Sequence, residues 1–444
     1  MGGVSGPERG SRPGSIGEGV APRPLAGKPP DAKRSFVLPR LRRRLRSGSV
    51  RAVTHTLILG AGFGGLACAR ALRRRLPAGH RITVVDRERD FVVGATQTWV
   101  MLGERDPREV ARPRAGLLPT GVTLVESEVR ALDPARREVE TGAGRLSGDH
   151  LVVALGAELA LDAVPGLAEA AHTFYSLPGA VRLAEALSGF GGGDLMVLIP
   201  RAPFKCPPAP YEAAMLMHAA FERRGIRARV RLGVWTLEPQ PMPTAGVEMG
   251  RFIAAELAAR DISLERKRKT VAVDGAQHAV RFEDGSEAHY DLLVAIPPHR
   301  APRVLVEAGL AEAGGWVAVD PGTLRVAKPG VAPHVYAIGD AAAVPLPGRY
   351  EPGTPLVLPK AGVFAAAEGE VVAAHIAAAA LGREAAERFD GRGFCYIETG
   401  AGRAAKGMGS FFDLPHPVMG SDPPDETQYR DKLAWVEEWS SARG

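Results

Sequence analysis

The stretch HTLILGAGFGGLACARALRRR, residues 55–75, followed by RITVVD at 81–86, decides the fold. HTLIL is an apolar run of strand length. GFGGLACARALRRRL then reads as a helix with a basic outer end. Between the two stands Gly60-Ala61-Gly62-Phe63-Gly64-Gly65. In such a turn Gly60 permits the tight reversal, Gly62 lets the backbone approach a pyrophosphate, and Gly65 lets the helix pack closely on the sheet. Gly64 extends the glycine-rich turn. The helix N-terminus supplies amide donors and the positive end of its dipole to phosphates. Asp86, 26 residues after Gly60, closes the second strand, where an acid can accept hydrogen bonds from an adenosine ribose. Strand, glycines, helix, strand and acid in this order predict a dinucleotide-binding unit.

Working outward, strand and helix periods alternate, which predicts parallel sheets and an α/β fold. Further strands are expected in DHLVVAL (149–155), GGDLMVLIP (192–200), ARVRLGVW (228–235), DLLVAIPP (291–298) and HVYAIGDAA (334–342). YEAAMLMHAAFERRG (211–225) reads as a buried helix and LPKAGVFAAAEGEVVAAHIAAAAL (358–381) as a long Ala-rich one. The last 60 residues look less regular and end in an amphipathic helix near Tyr429 to Ser441, with Tyr429, Leu433, Val436 and Trp439 on one face. A second strand–helix–strand unit at 194–235 lacks the glycine fingerprint. These readings divide the chain into a basic tail (1–51), a first nucleotide-binding part (52–160), a second Rossmann-like domain (161–319), a return to the first (320–385) and a C-terminal interface region (386–444).

The formal charge of +6 is unevenly placed. Residues 1–51 hold 12 Lys or Arg and 3 Asp or Glu, so the remainder carries a net −3. A body without a surplus of cations has no basic face for phosphates, and a nucleic-acid partner is excluded. The tail, rich in Gly, Pro, Ser and Arg, shows no apolar periodicity and reads as disordered. Organellar targeting by the tail stays open. Arg42, Arg43 and Arg44 before LILGAGFGG mimic a secretion signal, but the nucleotide fingerprint fits that stretch better. No run of 18 apolar residues occurs, so no membrane-spanning helix is expected. The 3 cysteines give neither a disulfide framework nor a zinc spacing, and no metal site is expected. The 11 histidines show no metal-ligand pairing. His299, after Pro297-Pro298, is a candidate active-site neighbour or a solvated loop residue. No G-x-S-x-G is present, which argues against a hydrolase.

The turn of the second unit, IPRAPFKCPPAPYE (199–212), holds prolines and no glycine. Proline removes amide donors and fixes φ, so the loop cannot cradle a nicotinamide dinucleotide in the usual way. Cys206 stands there instead. Lys205 beside it and a helix beginning near Tyr211 are expected to lower its pKa. Cys68, in LACARAL, reads as core. Cys395, in RGFCYIETG, cannot be placed beside Cys206 by sequence alone.

FKCPPAPYEAAML, AIGDAA, LPKAGVFAAAEGEVVAAHI and FCYIETG, in this order and spacing, resemble the sulfide:quinone oxidoreductases. They are also similar to the flavoprotein subunit of flavocytochrome c sulfide dehydrogenase, from about Thr54 to Phe412. The resemblance implies two dinucleotide-binding domains with a C-terminal region near a flavin. It implies FAD as cofactor, with Asp340 after Gly339 on the ribityl chain and Gly156, in ALGAEL, at the flavin. It makes Cys206 and Cys395 a redox-active pair beside the isoalloxazine, with Lys360 close by. The implied activity is oxidation of sulfide or a related sulfur donor, with electrons passed to a quinone or similar acceptor. No cysteine follows the second strand in FVVGATQTW (91–99), so FAD is expected to be non-covalent. The chain also lacks a cysteine between Cys68 and Cys206, has Ala361 in the Lys-Ala-Gly turn, and carries no His in PQPMPTAG (239–246). Two alternatives remain: an NAD(P)H-linked flavoprotein of the type II NADH dehydrogenase kind, and a flavin-containing redox sensor. Phe411, Phe412 and the helix carrying Trp435 and Trp439 could form a quinone-facing or membrane-surface patch, but the stripe reads better as packing on the body or on a second subunit, with Glu437 and Glu438 beside it unsuited to an anionic lipid surface. The resemblance leaves room for a homodimer and for a cytoplasmic or peripheral-membrane location. Because the tail precedes all the inferred chemistry, deleting 1–51 is expected to leave flavin content and turnover intact; FAD lost on purification of the truncated protein would show otherwise.

Overall fold

The computed structural model describes residues 53–441. The tail assigned to 1–51 lies outside them. The fingerprint folds as read: β1 (His55–Leu59), α1 (Phe63–Arg75) and β2 (Arg81–Asp86) form one unit. Its sheet is completed by β3 (Val122–Glu126), β4 (His150–Val153) and, much later in the chain, β9 (Val335–Ala337). The order is β9-β4-β1-β2-β3, parallel throughout. Every side chain of β1 and β4 is buried, which explains why these strands read as continuous apolar runs and do not alternate.

A second parallel sheet has the order β7-β6-β5-β8. It comprises β5 (Gly193–Ile199), β6 (Val230–Thr236), β7 (Ser263–Glu265) and β8 (Leu292–Ala295). The crossover from β5 to β6 is α2 (Ala209–Arg223), which begins two residues before the expected Tyr211 because Pro208 caps it and Pro210 fits its first turn. All but four of its fifteen residues are buried.

α3 (Gly362–Ala380) lies directly on α1. By length and mean apolarity it could cross a membrane, but Glu368 and Glu370 interrupt it, so no run of 18 apolar residues occurs, and 56% of its apolar stretch is buried in the protein. Small residues explain the contact. An added Cβ at Gly369 would sit 2.5 Å from the Gly64 carbonyl oxygen and 3.0 Å from the Cys68 nitrogen, so the helix backbones almost touch. Cys68, fully buried in α1, is core as expected.

The C-terminal region departs from the reading as irregular. It forms an antiparallel sheet of β10 (Arg392–Gly400), β11 (Arg403–Ser410) and β12 (Val418–Asp425), followed by α4 (Glu426–Ser440). Glycines in β11 and the Pro-Pro pair of β12 hid these strands from pattern reading, since proline suits an edge strand and glycine weakens the signal. Replacing Gly369 by Val forces two backbones apart and is expected to destabilise the fold by about 2 kcal/mol, the usual cost of overpacking; urea unfolding of G369V measures it.

Candidate functional site

The glycine turn is shaped by two close approaches. Gly60 has φ +101° and its missing Cβ would lie 2.2 Å from the Ala154 carbonyl oxygen; that of Gly65 would lie 1.9 Å from the Gly60 oxygen. Asp86 is committed to this turn. Its Oδ2 accepts from the Ala61 amide at 2.7 Å and lies 3.4 Å from Arg114 Nε, while Oδ1 accepts from the Glu88 amide. Arg114 Nε also donates to the Ala61 carbonyl. Around Gly62 nothing approaches within 4 Å of a would-be Cβ. The open space belongs to a cavity of about 330 Å³ whose lining includes Gly62, Gly64, Gly156, Asp340, Cys206 and Cys395. This open cradle, lined by both a glycine turn and two thiols, fits a dinucleotide flavin.

Gly339 has φ +66° and its amide donates to Glu368 Oε2 at 2.6 Å. Glu368 is buried on α3, and desolvation raises its carboxyl to about 8. Sequence reading missed it because a Glu in an Ala-rich helix looks like a solvated residue. Lys360 precedes the same helix. Its Nζ donates to the carbonyls of Asp340 (2.5 Å) and Ala342 (3.2 Å) and lies 3.5 Å from the Trp316 ring centre. Burial lowers it to about 8. The Lys360 ammonium is thus largely taken up by carbonyls and an aromatic face.

Cys206 occupies the left-handed region with φ +55°, rare for a residue with a side chain and a frequent mark of functional positions. Its amide donates to the Lys360 carbonyl at 2.8 Å, which ties the proline loop to the turn before α3. Cys395 lies on β10 opposite Gly407, where a Cβ would crowd its Sγ at 3.2 Å. The structure therefore brings both cysteines to one cavity, as free thiols. The expected lowering of the Cys206 pKa is corrected. Desolvation, then the Glu212 carboxylate and then Cys395 raise it to about 12; desolvation and Glu212 do the same for Cys395. Both cysteines keep partial exposure, yet the local charge that matters is negative.

That charge belongs to a buried triad. Lys432 Nζ, on α4, donates to Glu212 Oε1 of α2 at 2.5 Å and to Glu398 Oε2 of β10 at 2.6 Å. Trp99 Nε1 donates to the same Glu398 oxygen at 2.9 Å, and the Glu398 amide donates to Glu212. Burial holds the Glu212 carboxyl above its usual range, and the two carboxylates hold Lys432 charged. The C-terminal stripe was legible as apolar, but Lys432 in its middle was not. Trp435 stacks on Phe63 at 5.6 Å and Trp439 meets the same ring edge-on at 4.7 Å. Phe411 packs on Phe364 and Phe412 on Phe389. Each of these four rings finds an aromatic partner in the body, in keeping with the preferred reading of the stripe as a packed face. His299 is not solvated: it is 8% exposed, its Nδ1 is 2.7 Å from the Pro297 carbonyl, and desolvation lowers it to about 3. Among the described residues no cluster of three His, Cys, Asp or Glu is placed to hold a metal ion.

Lys432→Met would leave two buried carboxylates side by side and is expected to cost about 3–5 kcal/mol, as unpaired buried charges do. Adding Glu398→Gln should recover part of the loss; equal unfolding midpoints for the single and double variants would argue against a triad.

Residues 54–183 match the family model for pyridine nucleotide-disulphide oxidoreductases. Residues 182–297 match the central part of the sulfide dehydrogenase (flavocytochrome c) flavoprotein chain. The chain is 29% identical over 302 residues to the mitochondrial sulfide:quinone oxidoreductase of Mus musculus, covering 65% of this chain and 66% of that protein. It is 30% identical over 305 residues to an NADH dehydrogenase-like protein of Mycobacterium tuberculosis, covering 66% and 73%. The solved sulfide:quinone oxidoreductase of Aquifex aeolicus superposes with a TM-score of 0.77 at 21% identity, over 88% of this chain and 93% of that one, and so shares the fold. The chain belongs to the FAD-dependent pyridine nucleotide-disulphide oxidoreductases and, among them, is similar to the sulfide:quinone oxidoreductases and to the flavoprotein chain of flavocytochrome c sulfide dehydrogenase.

Proposed function

We propose that this enzyme oxidises sulfide, or a related sulfur donor, through Cys206 and Cys395 and delivers the electrons to a quinone or similar acceptor. The carrying observation is the convergence of both thiols on the one cavity that the glycine turn also lines. The segments 52–160 and 320–385 would hold FAD, with Gly60, Gly62, Gly64 and Gly65 at the pyrophosphate, and Gly156, Gly339 and Asp340 along the flavin side. FAD, when bound, supplies a two-electron acceptor.

The chain's own residues supply the sulfur chemistry. With the two cysteines oxidised to a disulfide, hydrosulfide attacks one sulfur, forms a persulfide on that cysteine and releases the other as a thiolate. Joining persulfide and thiolate through one bridging sulfur releases two electrons and a proton. The raised pKa values of both thiols mean that a released thiolate takes up a proton readily. Glu212, charged neighbour of both, is placed to exchange that proton. Lys432 keeps the Glu212 carboxylate oriented, and the left-handed Cys206 backbone fixes the direction of its thiol.

The relative named NADH dehydrogenase-like motivates a second reading, electron entry from NADH. The proline loop speaks against it: Pro203, Pro207 and Pro208 present no amides where a pyrophosphate would need them. The mitochondrial naming of several relatives supports an organellar or peripheral-membrane location. Anaerobic titration decides between donors. Sulfide should bleach the flavin band of the purified protein and NADH should not; Cys206→Ser and Cys395→Ser should each slow bleaching by sulfide at least a hundredfold at unchanged flavin content. Bleaching by NADH alone, or full sulfide activity in C206S, would overturn the proposal.

A further inference from the structure

Histidines gather at the amino end of the first sheet. His55 opens β1 and His150 opens β4, while His80 and His334 stand one residue before β2 and β9. The cavity-lining Gly156, Gly339 and Asp340 follow the opposite, carboxyl ends of β4 and β9. Two of the histidines have polar partners: His55 Nε2 lies 2.9 Å from Thr83 Oγ1, and His80 Nδ1 lies 2.7 Å from Thr54 Oγ1. The other two have each other. The rings of His150 and His334 meet edge to face with 5.0 Å between their centres. Both Nδ1 atoms are buried, and neither finds a hydrogen-bond partner among the described residues. Thr56, directly opposite His150 in the sheet, adds a buried and unpaired hydroxyl on the same face.

This pair sits on a short seam. β9 ends the sheet, and its pairing with β4 runs only from Leu151 opposite Val335 to Val153 opposite Ala337. The seam begins with the Leu151 amide donating to the His334 carbonyl at 3.0 Å and ends with the Ile338 amide donating to Val153 at 2.9 Å. His334 takes up its place with φ +65°. The charges that face the pair are mostly positive. Arg137, from a hairpin between β3 and β4, donates to the carbonyls of Gly148 and Pro333. Arg325 lies over the Tyr336 ring of β9. His80 faces the pair from the turn before β2, where its carbonyl accepts from Arg73 of α1. Asp149 is the opposing carboxylate, and its Oδ2 accepts from the His55 amide. Desolvation and then His334 lower His150 to about 4, with Arg137 and His80 adding to this against Asp149. Desolvation, Arg325 and Arg137 lower His334 too.

We propose that the His150–His334 contact is an acid-sensitive latch whose opening releases bound FAD. As the medium turns acidic, the two rings take up protons from it. Two like charges then face each other beside Arg137 and Arg325, and β9 parts from β4. Only hydrogen bonds break, and no electron moves. The turns that the two strands lead into, 154–156 and 338–340, lose their spacing, and the flavin leaves. The inference rests on FAD lying in the cavity and not on which donor reduces it. The sign follows from burial. Both rings are neutral in the closed fold, whereas an exposed histidine binds a proton near pH 6.5, on the order of its free value. The closed form therefore has its full stability above about pH 6.5 and loses it as pH falls toward about 4. Each ring makes the opening equilibrium rise by up to about tenfold per pH unit, and the pair by up to about a hundredfold. His55 and His299 keep their own depressed values in every variant below and cancel from the comparison.

The test takes the purified protein with FAD bound from about pH 8 to about pH 4 and measures flavin that passes an ultrafiltration membrane, with circular dichroism at each pH. Hydrogen exchange of peptides covering 149–156 and 333–340 is compared with that of β5 to β8, after correction for the intrinsic pH dependence of exchange. We expect flavin release to begin below about pH 6 with the circular dichroism unchanged. The two peptides should lose at least tenfold in protection while the second sheet keeps its own. His150→Gln and His334→Asn, the latter suited to a left-handed backbone, should each flatten the acid limb to about tenfold per pH unit. Arg325→Gln removes a cation that opposes protonation of the closed form, so its release should move to lower pH. An acid limb in H150Q and H334N as steep as in the unaltered chain would overturn the latch. So would flavin release that coincides with loss of circular dichroism. The exchange measurement needs no variant to fold: equal loss of protection in both sheets, or none in the two peptides, would also overturn it.

Discussion

Three elements distant in sequence meet on one ammonium. Lys432 of α4 holds Glu212 of α2 and Glu398 of β10 within 2.6 Å, in a space with almost no solvent. Each member alone would be an uncompensated buried charge, and burying such a charge costs several kcal/mol. The group is tolerated only while all three stay together with Trp99 and the Glu398 amide satisfying the remaining lone pairs. α2 starts just after Cys206, and β10 carries Cys395 three residues before Glu398. The contact that fixes α4 on the body therefore also fixes the two thiols relative to each other.

The same group sets the electrostatics of those thiols. Two carboxylates and one ammonium leave a surplus negative charge beside them, and desolvation acts in the same direction. Both thiols are consequently protonated at neutral pH. This differs from the common design of a reactive cysteine next to a cation or a helix N-terminus. It suits a centre in which cysteines serve as a disulfide or sulfur bridge and where a displaced thiolate must be quenched quickly. Cys206 is not at the first turn of α2 in any case: the helix begins at Ala209, and Pro208 contributes no amide proton.

Much of the first domain was readable because its physics is local. A tight turn with two backbones in contact demands glycine at Gly60 and Gly65, and buried parallel strands demand uninterrupted apolar residues. The proline loop around Cys206 was readable for the complementary reason, that proline forbids an amide cradle. Misreadings arose where a residue's meaning depends on a distant neighbour. Glu368 and Lys432 drew no notice in the sequence, and only their burial against Gly339 and against Glu212 gives them roles. Trp435, Trp439, Phe411 and Phe412 left a surface patch and packing on the body both open, with packing preferred, and their aromatic partners agree with packing. β11 and β12 were missed because their glycines and prolines serve close packing and an edge.

By itself the sequence determined the α/β class, the dinucleotide turn, the missing second nucleotide cradle and the two cysteines worth watching. Each of these follows from steric rules that act over a few residues. Only the tertiary structure decided that Cys206 and Cys395 share one cavity wall and that their pKa values rise and do not fall. Those facts depend on desolvation and on charges brought together across some 220 residues of chain, from Glu212 to Lys432, and no local pattern encodes them.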